Sequence, residues 1–597
     1  MIGRVRRLVR TTRLAIDMVA SSGRRQLLFI VAASVVTSVA IAGQLLVGRS
    51  LLDLLAGSDD VSAGDLAPNL ALLGLLMMVA ALSQAIATEL RIPLGEEVYR
   101  RTMDEILDVA TEVGLESYEH ADFHDRLQRA RLAASGQSSA VVFGLVTIVS
   151  TLVVTIGVVA VLFTIAPILL PIALLGYVPI ALVNVRNNRA RYQLELDLTE
   201  LQRDRSYFEY LLSDRTQAKE VRSFDVAPTL RRWHSDLWDT RMVRLRALVR
   251  TRLALSTLGS LVTTGVLIAT LSIALILAGR GSITIGDAAV AIVGLQQLSG
   301  RLQSAGVAFG SVHEGVTFLR DFESFRATLP VLREQRPTGT PPSPPTVLTV
   351  QGVGYRYPGA PEEALRNVSF ELRRGQVMAI VGANGSGKST LTNILGHLLT
   401  PTTGSVRWDG VDLADCDPTL VRAEIAPVFQ DFARFMLTIR QGIGLGDTSR
   451  LDDEAGIRDA ATRAGVDELI AQHPDGLDIR LGKLFLAGTD ISIGQWQRIA
   501  IARALFRAAP VVLMDEPSAS LDPRAEADLF DLLLELSEDR ITIFVSHRFA
   551  TVRSADIVMV LQQGDVVELG SHDELMAAGG LYRDLFELQA DRYGIQP

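Results

Sequence analysis

Gly382-Ala383-Asn384-Gly385-Ser386-Gly387-Lys388-Ser389 stands between the apolar run Val377 to Val381 and the helix-patterned stretch Thr390 to Leu399. It fits the pattern GxxxxGK[ST], and a strand before it with a helix after it is the context in which that pattern curls around phosphate. Glycines let successive backbone N–H groups line a turn at a helix N-terminus, where partial positive charge gathers. In such a loop Lys388 reaches the β- and γ-phosphates of a triphosphate, Ser389 offers its hydroxyl to Mg²⁺, and Thr390 follows on the helix. Only three lysines occur in the chain, Lys219, Lys388 and Lys483. One of them stands where a compact point charge is needed.

Downstream, Val511-Val-Leu-Met-Asp515-Glu516-Pro517 is an apolar strand ending in two carboxylates. An α/β sheet places its ligand at the C-terminal ends of its strands. Asp515 suits the Mg²⁺ shell, and Glu516 suits a general base acting on an attacking water. Short apolar runs at Val347 to Val350 and Ile541 to Val545, with Gly-rich turns and helical stretches between them, extend the same pattern. Residues 347–597 therefore read as an α/β domain of the P-loop NTPase class.

The remainder is different in kind. The chain has 597 residues, 48% of them hydrophobic, with charged residues at 21%, and its mean hydropathy is +0.27. An apolar excess beside ordinary charge content means that part of the chain lives in lipid and part in water. Apolar runs of spanning length lie at roughly Leu27 to Val47, Leu70 to Ala87, Ala140 to Ile165, Ile168 to Val185, Leu253 to Leu277 and Ala288 to Phe309. Each approaches the ~20 residues that a bilayer core demands. The fold class is thus an all-α six-helix transmembrane domain followed by the α/β domain. The first run is too long, and lacks the cleavage site, for a secretory signal.

Charge sets the orientation. Residues 1–25 form a basic arm with Arg4, Arg6, Arg7, Arg10, Arg13, Arg24 and Arg25. The connections 91–138 and 186–252 are Arg-rich, whereas Gly57 to Asp65 is acidic and Ala166-Pro167 is short. The basic segments belong in the cytoplasm, which puts both termini there and makes a multi-pass protein of the cytoplasmic membrane. Arg49 and Arg280 are the external exceptions. The two long cytoplasmic connections keep helical spacing and should be helices continuing beyond the bilayer. Helical pattern persists to about 332, giving a membrane domain over 26–332. Residues 333–346, with Gln335-Arg-Pro-Thr-Gly-Thr-Pro-Pro-Ser-Pro-Pro345, read as an extended linker. A net charge of −9 gives no footprint for nucleic acid. The single cysteine, Cys416, excludes an intrachain disulfide framework or a multi-cysteine metal site.

The order of these motifs resembles an ATP-binding cassette (ABC) half-transporter of the exporter type, membrane half first, and the likeness covers nearly all of the chain. The resemblance implies ATP as the triphosphate, with Mg²⁺. It also implies roles for further residues: Tyr357, in Tyr355-Arg-Tyr-Pro358, stacks on adenine; Gln430 touches Mg²⁺; His547 contacts the γ-phosphate; Asp522, in Ser520-Leu-Asp522, crosses a dimer interface. The family signature LSGGQ is written here as Ile491-Ser492-Ile493-Gly494-Gln495. Ile493 replaces a glycine, but the segment should open a helix, where any residue fits the backbone. Ser492, Gly494 and Gln495 remain to meet the partner's nucleotide. Since one chain carries one P-loop and one signature, the resemblance implies an obligate dimer, with itself or with a second half-transporter. Ser117 to Asp125 and Ala218 to Phe224 resemble the coupling segments of the family.

Cargo is less plainly written. The apolar runs are nearly free of ionisable residues, which suits an amphipathic or apolar compound better than a small ion. Gln297, Arg301 and Ser304 form a polar stripe in the last run that either lines a cavity or makes a structural contact. Leu481-Gly-Lys-Leu-Phe485 and the signature resemble bacterial exporters of peptides such as lantibiotics. No Cys-His peptidase segment precedes the first run, so leader cleavage is expected to lie outside this chain. Two alternatives stand beside the exporter: a supporting half of a heterodimer, favoured by Ile493, and an importer of a siderophore-like compound, since fold does not fix direction.

Overall fold

In the computed structural model the described residues are 2–57, 62–132, 134, 138–165, 199–485, 488–517 and 523–593, with scattered positions between 167 and 198. They form two compact units, residues 1–111 with 125–329, and residues 112–124 with 330–597. The fourth apolar run, Ile168 to Val185, falls largely outside the described residues.

The first unit is helical throughout: α1 (Ile2–Gly57), α2 (Ala63–Glu89), α3 (Arg91–Glu112), α4 (Leu115–Tyr118), α5 (Ala121–Leu132), α6 (Ser138–Ile165), α7 (Thr199–Ser213), α8 (Ala218–Ser223), α9 (Ala227–Gly279), α10 (Ile285–Arg326) and α11 (Thr328–Glu334). Parts of α3, α5 and α11, with α4, belong to the second unit. Among the described residues four helical stretches are long and apolar enough to cross a membrane: 21–56, 63–112, 140–164 and 227–279. Helix α10 covers the sixth run but falls short on hydropathy, because Gln296, Gln297, Arg301 and Gln303 interrupt it. At ~1.5 Å per residue α9 is roughly 80 Å long, well over a ~30 Å hydrocarbon core, so it continues beyond the bilayer as its sequence implies.

The helices pack through apolar clusters such as Ile41, Leu45, Val154, Val158 and Leu295, and in lipid small and hydroxylated residues add close approach and hydrogen bonds between them. The Ser34 hydroxyl donates to Ser150 at 2.8 Å, Thr37 meets Ser83 at 3.0 Å, and Ser38 donates to the Val153 carbonyl at 2.9 Å. Opposite Ser38, a Cβ on Gly157 would lie 2.4 Å from its hydroxyl, which is why the helices approach so closely there. The basic arm and the first span are one helix broken at Gly23. The basic residue Arg49 is neutralised by Asp287 at 2.7 Å.

The second unit holds two sheets. Strands β1 (Val347–Tyr355), β2 (Leu365–Arg373), β4 (Thr403–Trp408) and β5 (Val411–Asp412) form an antiparallel sheet in the order β2-β1-β4-β5. The other runs β10-β9-β3-β8-β7-β6, with β3 (Val377–Gly382), β6 (Ile425–Val428), β7 (Val511–Asp515), β8 (Ile541–Val545), β9 (Ile557–Gln562) and β10 (Asp565–Gly570). It is parallel except for β10. β3, β7 and β8 are buried at every position, as a parallel sheet covered on both faces requires. Strand β1 runs past the expected Val350 to Tyr355, carried by register shifts against β2.

Helix α12 (Lys388–Leu395) follows β3 and is shorter than the sequence pattern, which extended to Leu399. It stops because Gly396 caps it and His397 turns into the left-handed region at φ 52°. The Pro-rich segment is extended but strapped down. Gly339 exchanges backbone hydrogen bonds with Asp415 (3.0 Å) and Asp417 (2.7 Å), and Arg336 reaches the Asp417 carboxylate at 2.7 Å. Residues 112–124 pack in this unit too: Glu112 receives a forked pair of bonds from Arg333, and the Thr400 N–H donates to Glu116 at 3.1 Å.

Candidate functional site

The C-terminal ends of β3, β6, β7 and β8 bring Lys388, Ser389, Gln430, Asp515, Glu516 and His547 together. After β3 the chain turns through Gly382, Gly385 and Gly387, all at positive φ (151°, 79° and 103°). Gly387 is doubly required: it caps α12 in the left-handed region, and a Cβ there would lie 2.6 Å from the Ala364 carbonyl oxygen. Ala383, Asn384 and Ser386 complete the loop, whose backbone N–H groups lead into the N-terminus of α12.

Lys388 is buried, 6% exposed, and its ammonium donates to the carbonyl oxygens of Gly382 (2.9 Å) and Ala383 (3.0 Å). Burial pushes its pKa down, and the carboxylates of Glu516 and Asp515 pull against that shift. Asp515 is buried as well; loss of water raises its pKa, opposed chiefly by the hydrogen bond from Ser389. Its Oδ1 and the Ser386 Oγ are buried with no hydrogen-bond partner among the described residues. Orphaned oxygen of this kind in a loop of donors fits a bound cation and phosphate. Among the described residues no cluster of three His, Cys, Asp or Glu side chains could hold a metal alone. A divalent cation here would share its shell among Ser389, Asp515, Gln430 and phosphate oxygens, the hard oxygen set that Mg²⁺ prefers.

Glu516 is the meeting point. One carboxylate oxygen lies 2.8 Å from His547 Nε2, and the other accepts from Gln430 Nε2 at 3.1 Å. Glu516 itself sits at φ 50°, in the left-handed region. Tyr357 stands beside the P-loop helix: its hydroxyl is 3.2 Å from the Thr390 hydroxyl, and its ring meets Tyr355 edge-on at 4.9 Å. The ring is thereby fixed at the edge of the loop.

The signature segment opens α13 (Ile493–Arg507). Ser492 is the N-cap: its hydroxyl accepts from the Gln495 N–H at 3.2 Å, and the Gln495 side chain returns to the Ser492 N–H at 2.8 Å. Ile493 takes the first helical position and is 52% exposed, with Gly494 behind it. The loop residue Asp522 and its neighbours Ser520 and Leu521 lie outside the described residues.

Sequence reasoning missed two glutamines. Gln497, buried on α13, donates to the Pro517 carbonyl at 2.5 Å and so ties the signature helix to the backbone after Glu516. Gln589 donates to the His547 carbonyl at 2.5 Å. The signal for Gln497 was present, an amide amid Trp496, Ile499, Ala500 and Ile501. Gln589 carried none, since it is far from the site in sequence.

Residues 365–519 match the family described as ABC transporter. The chain is similar to the subtilin transport ATP-binding protein SpaT of Bacillus subtilis, 26% identical over 81% of this chain and 78% of that one. It is 39% identical to the nisin transport ATP-binding protein NisT of Lactococcus lactis, but over only 40% of each chain. An ATP-dependent lipid A-core flippase of Burkholderia orbicola is 38% identical over 40% of this chain and 39% of its own. A solved structure of a bacterial Atm1-family ABC exporter with ATP bound superposes with a TM-score of 0.81 at 22% identity, covering 96% of this chain and 99% of that one. Residues 365–519 are thus an ABC transporter ATP-binding domain, borne on a chain with the ABC exporter fold, in which a membrane domain is fused to a nucleotide-binding domain.

Proposed function

We propose that the chain is one half of a dimeric, ATP-driven exporter of an amphipathic peptide natural product, and that its nucleotide sites turn over through Glu516. The convergence of His547 and Gln430 on Glu516, beside the buried Lys388 and Asp515, carries this reading. The P-loop N–H groups from Gly382 to Ser389 would cradle the phosphates of ATP, and Lys388 would exchange its carbonyl partners for phosphate oxygens. Ser389, Asp515 and Gln430 would hold Mg²⁺, which supplies neutralisation of the charge on the transferring phosphate. Glu516 accepts a proton from the attacking water. His547 orients that carboxylate and donates toward the γ-phosphate, while the Tyr357 ring supports the adenine.

Ser492, Gly494 and Gln495 of one subunit, with Asp522, would complete the site of the other. Each nucleotide therefore bonds two subunits, and its hydrolysis releases them. The named activities of these relatives are transport of subtilin or nisin and lipid A-core flipping. They favour outward movement over uptake of a siderophore-like compound. The Arg-rich arm and connections favour both termini in the cytoplasm, with the spans in the cytoplasmic membrane.

The test is Mg²⁺-dependent ATP hydrolysis by the full chain, two copies per lipid nanodisc. Hydrolysis by the chain alone is expected. If it begins only after a second half-transporter is added, the chain is a supporting subunit. If neither arrangement hydrolyses ATP, the catalytic reading is wrong.

A further inference from the structure

Two neighbouring cavities in the membrane unit differ in character. The first, of about 240 Å³, lies between α1, α2 and α10, where Leu45, Leu73, Met77, Val290 and Val293 give it apolar walls. The second, of about 450 Å³, is lined by one face of α10: Val293, Gln296, Gln297, Gly300, Arg301 and Ser304. Val293 and Gln297 belong to both. A single face of α10 thus passes from apolar to amide to guanidinium.

Arg301 is the only charged residue in the six apolar runs, none of which contains Asp or Glu. Among the described residues it has no ion-pair partner. A second copy of the chain would bring another Arg301 and no carboxylate. The residue lies in the middle of α10, away from the helix ends where a long basic side chain reaches headgroups. Its guanidinium stays ionised and offers a fork of donors matched to a carboxylate or phosphate. The described residues supply no balancing anion, which leaves the guanidinium free to take one from a cargo.

We propose that Arg301 recognises the anionic group of the cargo, and that the cargo is an amphipathic peptide with a carboxylate about 12 Å from a large apolar side chain. The spacing follows from the eight-residue step between Val293 and Arg301 at ~1.5 Å each. The apolar cavity is below the roughly 300–1,000 Å³ of a pocket that encloses a drug-sized ligand. It accommodates a side chain, not a pair of acyl chains, which favours a peptide over a lipid. Gln296 and Gln297 supply amides suited to peptide N–H and C=O groups. This inference rests on the exporter reading, but its test reads binding and does not depend on hydrolysis.

The full chain in nanodiscs of neutral lipid is titrated with a fluorescent set of amphipathic decapeptides, each made as the C-terminal acid and as the C-terminal amide. The acids are expected to bind at least ~10-fold more tightly. Arg301→Gln should abolish that preference, and Arg301→Lys should retain part of it, both variants keeping the parent melting temperature and elution volume. Equal binding of acids and amides, no binding of either, or a preference that survives Arg301→Gln overturns the proposal. So does Arg301-dependent binding of phosphatidylglycerol without any peptide preference, which would make the cargo a lipid. If ATP hydrolysis is absent while the acid preference holds, the catalytic reading fails and this one stands.

Discussion

His547 Nε2 lies 2.8 Å from a carboxylate oxygen of Glu516, and Gln430 holds the other oxygen at 3.1 Å. The two partners sit just beyond the ends of different strands, His547 after β8 and Gln430 after β6, so the carboxylate is oriented by neighbouring strand ends and not by its own loop alone. Its backbone is held at φ 50° by the Glu516 N–H donating to Val545 at 3.1 Å and by Gln497 on the next carbonyl. A non-glycine residue in that region costs of order 1–3 kcal/mol and persists only where its surroundings enforce it.

Glu516→Gln keeps the size, the bond from His547 or Gln430, and the strained backbone, while removing the proton acceptor. ATP should still bind, and hydrolysis in single-turnover assays should fall by roughly 10² or more. An unchanged rate would make Glu516 a structural carboxylate that anchors the two strand ends.

Cysteine labelling checks the orientation. Cys416, the one native thiol, is buried and should give little background. Ser62→Cys, at the exposed N-cap of α2, should react with a membrane-impermeant maleimide on intact cells, whereas Ser343→Cys should react only after permeabilisation. Reversed labelling would invert the topology drawn from the arginines.

What could be read before folding was local. The P-loop, the strand ending at Asp515 and Glu516, and the apolar runs are each written in contiguous residues. Hence their chemistry followed from spacing. The pairing of β3 with both β8 and β9, and the hold of Gln589 on His547, depend on strands and helices far apart in sequence. No periodicity records them. Composition likewise marked the Pro-rich segment as extended but could not show it fastened by Gly339 to residues 415–417. The end of α12 was legible only in hindsight: apolar spacing continues through Leu398 and Leu399, but the left-handed His397 overrides it.

His397 makes stability pH-dependent. Burial holds its pKa down at about 4, with Arg422 pressing the same way, against an ordinary value of 6.5. The unfolded chain therefore takes up the proton first. The contribution is fully present above pH 6.5 and is lost as pH falls towards 4, by up to ~3 kcal/mol at 1.36 kcal/mol per unit. His397→Asn keeps a residue tolerant of φ 52° and removes the titration. Melting of the full chain between pH 7.5 and 4.5 should be steeper in pH for the parent than for the variant, and parallel curves would refute the assignment.

Ile493→Gly addresses the signature departure. The isoleucine occupies the first position of α13, where helical backbone accepts any residue, and it is half-exposed, so its removal uncovers no core. Ser492 and Gln495 cap the helix independently of it. Stability should therefore change by less than ~1 kcal/mol, the full interior penalty of glycine. Ser492→Ala, by contrast, should cost about 1 kcal/mol through loss of the cap. In the proposed dimer the Ser492 hydroxyl and the Gly494 N–H, which flank Ile493 in sequence, would be the donors that reach the partner's nucleotide. Restoring glycine should bring them closer and raise kcat by roughly 2- to 10-fold, with little change in the KM for ATP, as expected of an interaction made mainly in the transition state. In a heterodimer the gain would appear only at the site this signature completes. If kcat is unmoved while Ser492→Ala abolishes turnover, the isoleucine is a neutral substitution and the site is already competent. If both variants leave turnover unchanged, the signature helix does not complete a catalytic site, and the chain supports a partner that does.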